Sequence, residues 1–243
     1  MNMFANLKTQ NDIQDERNSV GGGAVLESGL YKCTIGLAYA TLAESGARGL
    51  VIHAKPEEGR DIRQTLWMSS GTAKGGNNFY IDAKGQKQYL AGFITANALA
   101  LLTVGKEVSD LEIEEKVAKI YSREAKAEVP QKVPMCVELI GKEVVLGIIK
   151  QTVDKTAKND ATGKYESTGE SRDENEIDKV FRAKDLMTVP EVKAHAEEAT
   201  FHETWAVKWN GQTRDKRSKD AAAGKPAAAP TSSTKPKTSL FSA

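Results

Sequence analysis

The apolar and polar positions of this chain change period several times, and each change marks an element. Tyr31, Cys33, Ile35, Leu37 and Tyr39 alternate with Lys32, Thr34, Gly36 and Ala38, the two-residue period of a half-buried strand. In "ARGLVIHAKPEEG", Leu50, Ile52 and Ala54 share one face, with Val51, His53 and Lys55 on the other. In "RDIRQTLWMSSG", Ile62, Leu66 and Met68 oppose Arg63, Thr65 and Trp67. Short polar turns join the three runs, which predicts an antiparallel meander. Residues 79–82 and 87–90 then predict a hairpin around Lys84-Gly85.

The period lengthens at Phe93, Ala96, Leu99 and Ala100, predicting a helix that Gly105 is placed to end. Residues 106–134 read equally as helix or hairpin, broken by Pro130 and Pro134. Residues 144–153 form a β-branched run suited to a central strand, with a bulge or bend predicted at Gly147. A polar loop follows, then a last short strand in "NEIDKVFRAKD". Residues 189–209 read as one helix, with Thr188 as N-cap and Pro190 in its first turn. The expectation is a mainly β, α+β chain. A meander of three strands, a helix and two more strands is the count of a five-stranded oligonucleotide/oligosaccharide-binding (OB) barrel. The hairpin would be an insertion and the last helix a C-terminal addition. The barrel domain is expected over residues 28–212, between an N-terminal arm (1–27) that ends in three glycines and a tail (213–243).

Charge separates that tail from the body. The chain's formal net charge is +1, but from Arg214 onward seven Lys or Arg face two Asp, so the rest sums to −4. A body of that charge excludes a general polycation and calls for a compact basic site. The tail is rich in Ala, Pro, Ser and Thr, the composition of disorder. No run is apolar enough for a membrane span, and the first residues lack the core of a signal peptide, so a cytoplasmic protein is expected.

Catalytic spacing is missing throughout. "SSGTAKGGNN" is glycine-rich but does not match a phosphate-binding loop, and no Gly-x-Ser-x-Gly elbow occurs. His195 and His202 stand seven apart without a carboxylate between them in metal-binding register, and Cys33 and Cys136 are isolated. Neither an enzyme nor a metal or other cofactor is expected.

The outward face of the meander carries the candidate chemistry. Arg63 and Trp67, four apart, share it, and Lys32, His53 and Lys55 point the same way from the neighbouring strands. Tyr39, Tyr80 and Tyr89 would extend an aromatic surface, and Lys74, Lys84 and Lys87 would flank it. Bases stack on aromatic faces for ~1–3 kcal/mol each while cations follow the phosphates. A lone strand tryptophan crossed by an arginine also serves plain packing, so both uses fit this pattern.

Three segments carry a resemblance: "GQKQYLAGFITANALALLTVGKEVSD", "KVPMCVELIGKEVVLGIIKQTVDK" and "ENEIDKVFRAKDLMTVPEV". In order and spacing they resemble the single-stranded-DNA-binding proteins of tailed bacteriophages, in particular the podovirus group that carries a giant virion RNA polymerase. The similarity runs from about residue 26 to 211. It implies an OB barrel that coats single strands in replication and recombination within the host cytoplasm, with no catalytic residues. Such proteins commonly end in an acidic tail with hydrophobic residues that dock on partners. Here Leu240 and Phe241 keep the apolar anchor, while Lys235 and Lys237 reverse the sign. Replication or recombination proteins, and host or phage RNA polymerase, are the partners this implies. An adaptor for transcription or replication working through its tail, or a phage structural protein, are the alternatives.

Overall fold

The computed structural model describes residues 25–122, 125–159, 163 and 165–218. Its elements run β1 (Gly29–Leu42), β2 (Arg48–Pro56), β3 (Ile62–Trp67), β4 (Phe79–Ile81), β5 (Lys87–Tyr89), α1 (Ala91–Thr103), β6 (Ile113–Ser122), β7 (Ala127–Cys136), β8 (Glu143–Lys158), β9 (Tyr165–Arg182), α2 (Val189–Lys193), α3 (Phe201–Trp209) and β10 (Thr213–Asp215). The chain is mainly β with few helices, and the expected meander β1-β2-β3 is present as an antiparallel ladder. The hairpin β4–β5 and helix α1 also stand where the patterning predicts them.

Strand β8 organises the rest. Val144, Leu146 and Ile148 are fully buried in the main core with Ile52, Leu66, Leu99 and Ala100. Val145 and Ile149 point to the other face, into a second cluster with Phe181 and Trp205. Burial on both faces is why this stretch reads as an unbroken apolar run rather than an alternation. Gly147 lies between the two: the register with β9 shifts there, and a Cβ would come within 3.0 Å of the Trp205 ring. The predicted bulge thus also makes room for an indole from α3.

A second bulge, in β1, corrects the expected facing. The register with β2 shifts between Ile35 and Leu37, so Ile35 and Ala38 both point inward. Leu37 and Tyr39 are thereby turned to the outer face, since an extra residue reverses the alternation.

Pairing gives the order β10-β8-β1-β2-β3, with β9 on the opposite edge of β8. No ladder joins β3 to β9, so the sheet is open and the expected closed barrel of five strands is not formed. At this seam the Ile177 N–H donates to the Gln64 side-chain oxygen (2.7 Å), occupying an amide that a ladder would otherwise use.

Other elements depart from the expectation. The ambiguous segment before β8 is the hairpin β6–β7, which meets the sheet where Met135 pairs with Tyr39. Pro130 and Pro134 lie opposite Lys119 and Glu115. Four apart, they share one edge, so the intervening residues keep the ladder. The polar loop after β8 is mostly strand: β8 and β9 continue outward as a two-stranded arm, tied by Thr152–Asp173 (2.7 Å) and Lys155–Glu170 (2.9 Å). Residues 213–218, expected within the tail, belong to the body. Strand β10 runs parallel to β8 past the start of β1, and Ser28 joins the three by accepting from Lys150 N–H and donating to the Gln212 carbonyl.

The single C-terminal helix is two helices, and Glu191 caps the start of both. Its carboxylate accepts from Thr188 in a capping box and from the Thr200 and Phe201 N–H groups at the head of α3. His195, between them, takes φ 51°. Partial burial works to raise the Glu191 pKa, but these hydrogen bonds outweigh it and hold it at about 2 against an ordinary 4.5. Ionised Glu191 therefore contributes stability that is complete above pH 4.5 and is lost as pH falls toward about 2. Glu191→Ala should cost about 1–2 kcal/mol at neutral pH, and urea unfolding should show a shallower acid limb than the parent. An unchanged limb would remove Glu191 from this role.

Candidate nucleic-acid interface

The outer face of the meander is built in cross-strand rows. Leu37, His53 and Arg63 form one, Tyr39, Val51 and Thr65 the next, and Thr41, Gly49 and Trp67 the third. Glycine at 49 lets the indole lie down on the sheet, since a Cβ there would meet Trp67 Cε3 at 2.9 Å. Trp67 nevertheless stays 44% exposed. Gly92, in the first turn of α1, lets the helix come still closer to the Trp67 backbone: a Cβ would fall 2.2 Å from the Trp67 carbonyl oxygen. The backbone of Trp67 is thus clamped while its ring remains accessible.

Trp67, Lys74 and Tyr80 line one cavity of about 980 Å3 together with Phe79. Residues 69–77 form its wall and are tied to the β1–β2 turn, where the Thr72 N–H and hydroxyl both donate to the Ser45 carbonyl (2.8 and 2.9 Å). Lys87 lies over the Phe79 ring at 4.6 Å. Lys84, at the tip of β4–β5, is exposed, and its N–H is held by Asp82 (2.9 Å). Among the described residues no carboxylate, histidine or cysteine lines this cavity. It offers aromatic faces, hydroxyls and one ammonium group, a set able to stack on planar rings and contact phosphate.

The other end of the face is electrostatically balanced. Arg63 bonds Glu128 of β7 at 2.9 Å and lines a second cavity with Arg60 and Arg172, where Asp61, Asp173 and Glu174 match their charge. His53 is half-buried and meets the Tyr39 ring edge-on at 6.4 Å. Burial, and then the Arg63 guanidinium, lower its pKa below 6.5 against the opposing pull of Glu128 and Asp61. Arg60 and Arg172 were not singled out from the sequence. They stand in polar turn-like segments and converge only because the edges of β3 and β9 face each other.

Some expected residues are not brought to this site. Lys32 is exposed but held by Glu57 (3.0 Å) and Glu143 (3.2 Å), whose hydrogen bonds raise its pKa. It also sits nine residues along β1 from Thr41, roughly 30 Å from the Trp67 row at strand rise. Lys55 is exposed beyond the His53 row, opposite Thr34. Tyr89 turns away to meet the Phe93 ring of α1 at a tilt, centroids 5.1 Å apart, and lines a mostly apolar cavity with Phe201. Lys235, Lys237, Leu240 and Phe241 lie outside the described residues.

Among the described residues no group of three or more His, Cys, Asp or Glu is placed to hold a metal ion. No helix there is long and apolar enough to cross a membrane. Cys33 and Cys136 are both buried and free, and burial pushes the Cys33 thiol up to about 12, with Glu57 adding to it. No family model, curated protein or solved structure matches this chain.

In an NMR titration the His53 ring should show a midpoint below 6.5. Arg63→Ala should move it upward, because a cation is removed while Glu128 and Asp61 stay. A midpoint unmoved by that change would separate the two side chains electrostatically.

Proposed function

We propose that this protein is a non-catalytic single-stranded-DNA-binding protein, with the Trp67 cavity and the Arg63 end of the same face as its binding surface. The observation that carries the reading is an accessible indole, clamped by its backbone, in one cavity with Lys74 and Tyr80. Bases would stack on Trp67 and Tyr80 while Lys74, Lys87 and Arg63 take phosphates. The spacing supports this. Trp67 and Arg63 lie four residues apart on one strand face, ~13 Å at strand rise, the reach of a short run of nucleotides. Few cations are available, so binding should involve few phosphates and little sequence preference.

The architecture supports the same reading. Strands β1, β2, β3, β8 and β9, with α1 between β3 and β8, follow the order of an OB barrel whose last seam is left open. Hairpins β4–β5 and β6–β7 are then insertions on either side of α1. The resemblance of three segments to phage single-strand-binding proteins gives the biological setting: coating of single strands in replication and recombination, with the basic tail as a contact for partner proteins such as RNA polymerase.

Glu128 makes the reading testable in both directions. It occupies Arg63 as a phosphate would, so DNA must displace it. In titrations with oligo(dT), Trp67→Ala should weaken binding roughly tenfold to a hundredfold, from ~1–3 kcal/mol of stacking per base, and Trp67→Phe should retain most of the affinity. Arg63→Ala should weaken binding and reduce its salt slope, whereas Glu128→Gln should tighten it. Equal affinity for duplex, or oligo(dT) binding indifferent to all four changes, would defeat the proposal.

A further inference from the structure

The open edge of β6 carries an inference independent of nucleic acid. Strand β7 faces the body: Met135 pairs with Tyr39 and Glu128 bonds Arg63. Among the described residues strand β6, beyond it, pairs only with β7, so its far edge has no ladder there. Ten residues of unpaired strand are a template for another chain.

The prolines say which groups that edge presents. Pro130 and Pro134 oppose Lys119 and Glu115 and have no N–H to give, so these are non-hydrogen-bonded pairs. By alternation the N–H and C=O groups of Ile113, Glu115, Val117, Lys119 and Tyr121 all point to the open edge. The side chains of the same five residues share one face of the hairpin. Its apolar members are strongly exposed: Ile113 by 54%, Val117 by 65% and Tyr121 by 53%.

We infer that β6 pairs with β6 of a second copy of this chain, antiparallel and two-fold symmetric about Val117. The strand is self-complementary in that register alone. Ile113 falls opposite the second copy's Tyr121, and Glu115 opposite its Lys119. Val117 meets itself on the axis, and symmetry repeats each apolar and charged pair. All three kinds of pair are hydrogen-bonded positions, because each uses the backbone groups left free by the prolines. Moving the axis to Lys116 sets that lysine against itself, and moving it to Ala118 leaves no opposite charges facing. An axis between two residues would continue the outer face of one hairpin into the inner face of the other. The contact is isologous and closes at two copies, so it yields a dimer rather than a fibre. The two hairpins become one four-stranded ribbon, with each body attached through its β7 on opposite sides.

Sedimentation of the full chain across a concentration series tests this, with a 26.3 kDa monomer as reference. The parent should form dimers. Val117→Pro removes one edge N–H that β7 does not use, and should leave thermal unfolding nearly unchanged while abolishing the dimer. Lys119→Glu should raise the dimer dissociation constant by about tenfold, through two like-charge pairs. Combining it with Glu115→Lys should restore the parent value, because the charge pairs re-form with signs exchanged. A parent that stays monomeric throughout, or a dimer that persists in Val117→Pro and ignores the charge exchange, would overturn the inference.

Discussion

The structure depends on one strand being buried on both of its faces. β8 sends Val144, Leu146 and Ile148 into one core and Val145 and Ile149 into another. A strand with no solvent face must be covered twice, by α1 on one side and α3 on the other, and neighbours are needed on both edges. β9 takes one edge, while β1 and then β10 share the other. Gly147 reconciles these demands, bending the strand and leaving space for Trp205. The indole N–H in turn reaches Asp178 (2.8 Å), which Arg214 of β10 also contacts. A buried tryptophan whose N–H is satisfied holds the helix, the bent sheet and the last strand in one network.

With α1 packed on the inner face of β3, β8 and β9 and α3 on the far side of β8, no described helix covers the outer face of the meander. The β1 bulge turns Leu37 and Tyr39 onto it, glycine at 49 lets Trp67 lie flat, and the β6–β7 hairpin meets it at Tyr39 and Arg63. The proposed surface is thus a consequence of packing elsewhere. It combines a rigid sheet with two walls, residues 69–77 and the β4–β5 hairpin, that bring Lys74 and Tyr80 to the indole. A surface preformed in this way would add no ordering cost of its own on binding the proposed ligand.

How much of this was legible follows from where each residue's free energy comes from. The meander, α1 and the Gly147 bend were readable because burial on one side imposes a period and its interruption leaves a glycine. The outer parts of β8 and β9 were not, since both faces are in solvent and the side chains carry no period. The helix break before α3 was hidden because Glu191 caps it from nine residues away. Of the expected site residues, Trp67, Lys74 and Tyr80 line one cavity. Lys32 was not distinguishable from them, as the two carboxylates that hold it come from β2's end and β8's start. The β1 bulge, which turned Tyr39 outward, had no local signal beyond Gly36.

Photocrosslinking tests the central claim most directly. Iodouracil placed along a short single strand would be crosslinked to the full chain and the adducts mapped by mass spectrometry. The account predicts adducts at Trp67 and Tyr80, with Tyr39 or His53 reached from positions further along the strand. Adducts confined to the Tyr89–Phe201 cavity or to the β8–β9 arm, with Trp67 unmodified, would contradict it.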